Sequence, residues 1–193
     1  MIWQIGRFCL AALIAAALYA QMRQVIHAGN SIANFFSFFT VQSNIIAIVA
    51  LLLPNPVIRG GATVYITITG VVYNLLLRGV EAALQMTIGW VNLVLHDISP
   101  LALIVWLIVA PPKLPAAYAK LIPLWMSYPL AYLAYTLVRG HFTTWYPYGF
   151  LDPIRQGWGI VGAFCACTTV AVVGLSWLVI FRATTAKPTM ISH

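Results

Sequence analysis

Apolar runs long enough to cross a lipid bilayer follow one another through most of this chain. A spanning helix needs about 20 mostly apolar residues. Such runs occupy 5–21, 33–53, 61–77, 90–110, 118–138 and 158–181. Only 7% of the 193 residues are charged, against about 25% in an ordinary soluble domain. Ten Lys and Arg with three Asp and Glu cannot cover the surface of a soluble fold this size. A hydrocarbon solvent removes the difficulty, because lipid-facing positions stay apolar. The runs are continuous rather than alternating, which points to helices and not to a β-barrel. The expected fold is an all-α integral membrane protein, a six-transmembrane-helix bundle. It forms a single domain over 1–183, with a polar C-terminal tail at 184–193.

The punctuation between runs fits this reading. Pro54 and Pro56 close the second run, Arg78 the third, Pro111 and Pro112 the fourth, and Arg139 and Gly140 the fifth. The segment 80–89 is too short to span. The loop at 141–157 carries Trp145, Tyr146, Tyr148 and Phe150, a composition that suits a belt at headgroup level. The first run has the basic start of a secretory leader, with Ala20 at a cleavage-like position. It is read as a span because the other spans need a packing partner. Six spans put both termini on one side. That side collects Arg7, Arg59, Lys113, Lys120, Arg182 and Lys187, and the other collects Arg23, Arg78, Arg139 and Arg155. The excess of basic residues favours cytoplasmic termini in a bacterial inner or plasma membrane. Scattered singly at the ends of runs, these charges do not form a nucleic-acid patch. Cys9, Cys165 and Cys167 lie within apolar runs without metal-finger spacing, and read as small buried hydrophobes.

Polar side chains within spans are costly and mark candidate sites. The second run holds Ser37, Thr40, Gln42, Ser43 and Asn44; the fourth holds Asn92, His96, Asp97 and Ser99. Both runs cross in the same direction. Thr40 and His96 lie at matching depth, roughly 10 Å below one face at a rise of ~1.5 Å per residue. Thr40 with Asn44, and Asn92 with His96, are four apart and share a helix face. A threonine hydroxyl becomes a nucleophile when a base takes its proton, and histidine suits that task near neutral pH. Asn44, Asn92 and Ser43 are candidates for holding an oxyanion or the substrate. Asp97 follows His96 directly and therefore points about 100° away on a helix. The plain alternatives are a threonine bonded to its own helix, a histidine that only joins helices, and an aromatic loop that is only a belt. His27, His96 and His141 fall towards one side, but no CxxCH or HExxH motif accompanies them. No metal or organic cofactor is expected.

Three segments carry a family resemblance. They are Phe35-Phe36-Ser37-Phe38-Phe39-Thr40, then Asn92-Leu93-Val94-Leu95-His96 with Pro100 four residues on, then Trp145-Tyr146-Pro147-Tyr148-Gly149-Phe150-Leu151-Asp152. In order and spacing, across 30–160, the chain resembles the androgen-induced and androgen-dependent multi-pass membrane proteins and their bacterial six-span relatives. The animal members hydrolyse fatty acid esters of hydroxy fatty acids with an intramembrane Thr and His. The resemblance implies Thr40 as nucleophile and His96 as base, with Asn92 matching the Asn before that His. Ser43 stands where the animal pattern has an acidic residue, and the loop after the third run is shorter. The expectation is an intramembrane threonine-dependent hydrolase acting on a membrane lipid ester. The competing expectation is a non-enzymatic binder or transporter using the same polar cavity for a lipid or small solute. Paired carboxylates for ion coupling and repeated broken spans, the marks of a transporter, are missing from the sequence.

Overall fold

Breaks in the apolar sequence coincide with helix ends at Leu52, Leu77 and Val109, whereas the fifth helix passes Arg139 and Gly140 and ends at Thr143. The computed structural model describes residues 2–79, 88–116 and 118–185, and among these there is no strand. Six main helices follow in order: α1 (Ile2–His27), α2 (Phe39–Leu52), α3 (Pro56–Leu77), α4 (Gly89–Val109), α5 (Leu121–Thr143) and α6 (Trp158–Thr185). Five of them, all except α2, are long and apolar enough to cross a membrane. The segment 80–89 and the polar tail lie mostly outside the described residues.

The second run departs from expectation. It is not one helix but a short turn, Ile32–Phe36, followed by α2. Phe38 between them is extended, at φ −75° and ψ 131°. At the break the Ser37 hydroxyl turns back onto the Ala33 carbonyl at 2.7 Å, a local bond that tends to bend a helix. The carbonyls freed by the break need donors, since a buried unpaired group costs about 1–3 kcal/mol. They find them in side chains. Tyr132 Oη donates to Ser37 O at 3.1 Å, and Gln42 Nε2 donates to Phe36 O at 2.8 Å.

Side-chain capping marks the start of α3. Asn55 accepts from the Val57 and Ile58 N–H groups and Pro56 follows it, a strong start signal for α3. At the same end of the bundle, arginines meet helix C-termini, where cations are favoured. Arg7 donates to Leu51 O at the end of α2, Arg59 to Ala110 O and Arg182 to Ile108 O at the end of α4. The Arg7 and Arg59 guanidiniums lie over the Trp106 ring, 5.0 and 4.3 Å from its centroid. Arg139 donates to Asn34 at 2.6 Å, and Tyr135 bonds Ser37 at 2.7 Å.

Two apolar cores result. One joins α1, α2 and α4 through Ile14, Ala47, Leu51, Val91 and Leu103; the other joins α3, α5 and α6 through Val64, Ile68, Trp125 and Val172. The periphery is apolar as well: Leu101 is 61% exposed, Val170 72% and Leu178 61%. Gly70 lets α3 approach α4 closely. A Cβ there would stand 3.0 Å from both the His96 carbonyl and the Pro100 ring.

Candidate functional site

The break at Phe38 places Thr40 in the first turn of α2, and a second irregularity places its neighbour. Pro100 has no N–H to give the His96 carbonyl, which interrupts the regular ladder. Just upstream, Val94–Ile98 winds as a π-turn, with the Ser99 N–H reaching back to Val94 O. Such single π-turns recur at functional sites because they re-aim side chains. A matching π-turn, Tyr73–Leu77, ends α3, and the Tyr73 ring stacks on the His96 imidazole at 3.8 Å and 15°.

Thr40 Oγ1 lies 3.3 Å from His96 Nε2. His96 is 6% exposed, and its other ring nitrogen, Nδ1, is 3.2 Å from the Asn92 carbonyl. A carbonyl only accepts, so a neutral imidazole places its proton on Nδ1. Nε2 then carries a lone pair and accepts the threonine hydroxyl. This is the tautomer that a base needs. Asp97 takes no part in it. Asp97 Oδ1 accepts from Arg78 at 2.6 Å and from Asn74 at 3.2 Å, and Arg78 also donates to Asn74 at 2.7 Å.

The remaining sequence candidates divide. Asn44 is fully buried and ties helices together: it donates to Thr40 O at 2.9 Å and Leu95 O at 3.2 Å, and accepts from Ser99 at 2.8 Å. Ser43 Oγ stands 2.8 Å from Thr69 Oγ1 and 3.2 Å from Thr40 O. Both therefore brace the backbone beneath Thr40 and His96. Asn92 meets His96 through its carbonyl oxygen.

One residue of the site lies in the aromatic loop, which the sequence reads first as an interface belt and which carries the third resemblance segment. Tyr148 Oη is 3.3 Å from Thr40 Oγ1 and accepts the Thr40 backbone N–H at 3.2 Å. Its ring stacks parallel on Phe150, at 5.0 Å and 5°, and meets Phe38 edge-on at 5.6 Å. Trp145 also meets Phe38 edge-on, at 5.8 Å. The aromatic loop thus seats on the break in the second run. The signal was the proximity of that loop, in the topology, to the outer ends of the second and fourth runs.

Thr40 and Tyr148 open onto a cleft between α2, α3, α5, α6 and the loop, with about 780 Å³ of empty space counting its open mouth. Its walls include Phe39, Ile68, Val72, Leu130, Leu133 and Phe164, and among the described residues no charged side chain lines it. A hydroxyl, an oriented imidazole and an uncharged apolar cleft suit attack on an acyl group attached to a long chain. No family model matches the chain, and neither a curated protein nor a solved structure matches it.

Proposed function

We propose that this chain is a multi-pass membrane hydrolase that cleaves fatty acid esters within the bilayer, with Thr40 as nucleophile and His96 as base. The observation that carries the reading is the Thr40–His96 contact at 3.3 Å, with His96 Nδ1 turned to the Asn92 carbonyl. An acyl chain would lie along the cleft from the apolar periphery, and its ester carbonyl would meet Thr40 at the polar end. The resemblance to the androgen-induced and androgen-dependent family supports the same pair of residues. Lipid is the natural solvent for the exposed apolar surfaces of α4 and α6. In this arrangement α2 is the sixth span. Its 14 residues rise ~21 Å, and the Ile32–Phe36 turn covers the remaining depth of a core about 30 Å thick. The positive-inside rule sets both termini in the cytoplasm. A lipid binder or transporter would use the same cleft but would have no need of a hydroxyl aligned on an imidazole.

The test is covalent. A fluorophosphonate probe should label the wild-type protein in membranes, and Thr40→Ala should lose both the label and turnover of a long-chain 4-nitrophenyl ester. Thr40→Ser, which keeps the hydroxyl, should retain part of each. Equal turnover in wild type and Thr40→Ala would overturn the hydrolase reading in favour of a binding protein.

A further inference from the structure

We infer that Tyr148 is a third catalytic residue, whose phenol proton stabilises the oxyanion formed when Thr40 attacks. The inference rests on the hydrolase reading and concerns a group outside the Thr–His pair. It starts from proton positions that the geometry dictates. The Asn92 carbonyl takes the Nδ1 proton of His96, so the Thr40 hydroxyl donates to Nε2. Thr40 Oγ1 has then spent its only proton. Its contact with Tyr148 at 3.3 Å must run the other way, from the phenol to the threonine oxygen. The Thr40 N–H, in the first turn of α2, donates to the Tyr148 oxygen at 3.2 Å. That bond fixes the phenol oxygen and leaves its proton directed at the nucleophile and the cleft, which both residues line.

The chemistry follows from what happens at Oγ1. As Thr40 Oγ1 bonds to the ester carbonyl carbon, its proton passes to His96 Nε2 and the carbonyl π pair moves onto the carbonyl oxygen. Oγ1 becomes an alkoxy oxygen and a poor acceptor, while a full negative charge appears on the oxygen attached to the same carbon. The phenol proton turns a short way from the first to the second. Collapse of the intermediate expels the alcohol, which takes the proton held on Nε2. Water, deprotonated by the same imidazole, then attacks the acyl-threonine through a second oxyanion. Its collapse releases the acid and returns the proton to Thr40. A donor preset at the developing charge costs no reorganisation of solvent, and beside the apolar walls of the cleft it acts at low dielectric.

The loop is built to hold this one oxygen. Tyr148 is gripped between the parallel face of Phe150 and the edge of Phe38. Phe150 in turn packs on Phe164 of α6 at 4.2 Å. A belt residue would present its hydroxyl to water and headgroups, whereas Tyr148 points inward to the start of α2.

The deciding variant is Tyr148→Phe, which keeps every ring contact and removes the hydroxyl. In the full-length protein in lipid nanodiscs, kcat for a long-chain 4-nitrophenyl ester should fall about 10²–10³-fold, the loss typical of one oxyanion donor, with KM within about threefold. Fluorophosphonate labelling should slow in parallel. A KM increase at unchanged kcat would make Tyr148 a wall of the cleft and overturn the inference. So would wild-type kcat in Tyr148→Phe alongside a dead Thr40→Ala, an outcome that leaves the hydrolase reading standing. Failure of the wild-type protein to hydrolyse or to be labelled would remove both. If Tyr148→Phe does not fold, replacing Tyr148 by a trifluorotyrosine keeps the phenol but makes it more acidic. A phenolate cannot donate, so the alkaline limb of the kcat profile should move to lower pH. An unmoved limb would overturn the inference.

Discussion

Two polar clusters sit against each other in this apolar bundle, and they are built to different tolerances. In the brace formed by Ser43, Asn44, Thr69 and Ser99, the bonds between side chains are 2.8 Å long, and each of these residues also bonds a backbone carbonyl. In the neighbouring group of Thr40, His96 and Tyr148, the contacts run from 3.2 to 3.3 Å. Both are surrounded by the same helices. The brace adds bonds of 3.2 Å to backbone carbonyls, and its Ser43, Asn44 and Ser99 are fully buried, where polar groups need partners for stability. The site holds its partners at the edge of bonding distance, with a cleft alongside. Catalytic hydrogen bonds are often long before substrate arrives. The proposed function gives stability to one cluster and chemistry to the other, and substitutions should separate the two.

The largest separation is expected at the pair itself. His96→Ala should reduce ester turnover by at least about 10³-fold, and the double variant with Thr40→Ala should be little worse than either single one, because a nucleophile and its base act as a unit. Thermal unfolding in detergent should move little for Thr40→Ala. Additive losses in turnover would mean that the two residues act independently, and the comparison between clusters would fail on its catalytic side.

Asn44→Ala tests the other side. It removes bonds to Thr40 O, Leu95 O and Ser99 at once. Interhelical hydrogen bonds in membranes average only about 0.6 kcal/mol each, but an abandoned buried partner costs about 1–3 kcal/mol. A loss of about 2 kcal/mol is expected, read as a lower midpoint in detergent unfolding. Turnover per folded molecule should fall less than tenfold, through looser placement of Thr40 and His96. A hundredfold loss of turnover at unchanged stability would move Asn44 into the reacting group.

How much of this was legible in the sequence depends on the kind of residue. The all-helical class followed from hydropathy, with five of the six expected spans long and apolar enough to cross a membrane and the second run broken and shorter. Depth and direction brought Thr40 and His96 together, as their 3.3 Å contact does, although the depth of Thr40 was reckoned along a helix that breaks at Phe38. The break at Ser37–Phe38 was hidden, since every residue around it is compatible with a continuous apolar run. It depends on donors from distant α5 and on Gln42, whose bonds no local pattern reveals. Helix rotation was equally hidden. It decided that Ser43 and Asn44 face Thr69 and Ser99 while Thr40 faces His96. Tyr148 was in view as an aromatic in a loop, yet nothing in Trp145–Asp152 tells a belt from a lid until the loop is seated on Phe38.

The smallest effect is expected at Asp97, and it sharpens the contrast by marking where the site stops. Asp97 stands beside His96 in sequence, the place where a triad acid would be sought. Its carboxylate instead pairs with Arg78 at 2.6 Å, with the two side chains 22% and 54% exposed. An exposed ion pair of this kind contributes about 0–1 kcal/mol. The Asn92 carbonyl already fixes the imidazole through Nδ1, so no acid is needed to choose the tautomer. Asp97→Asn keeps the shape and an acceptor for Arg78 while removing the charge. Arg78 also lies over the Tyr73 ring at 5.5 Å, and Tyr73 stacks on His96, so a slight influence can pass along that stack. Turnover should stay within about twofold of wild type, and stability should change by less than about 1 kcal/mol. A loss of hundredfold or more in kcat would show that the imidazole depends on this carboxylate, and a Thr–His–Asp triad would replace the pair.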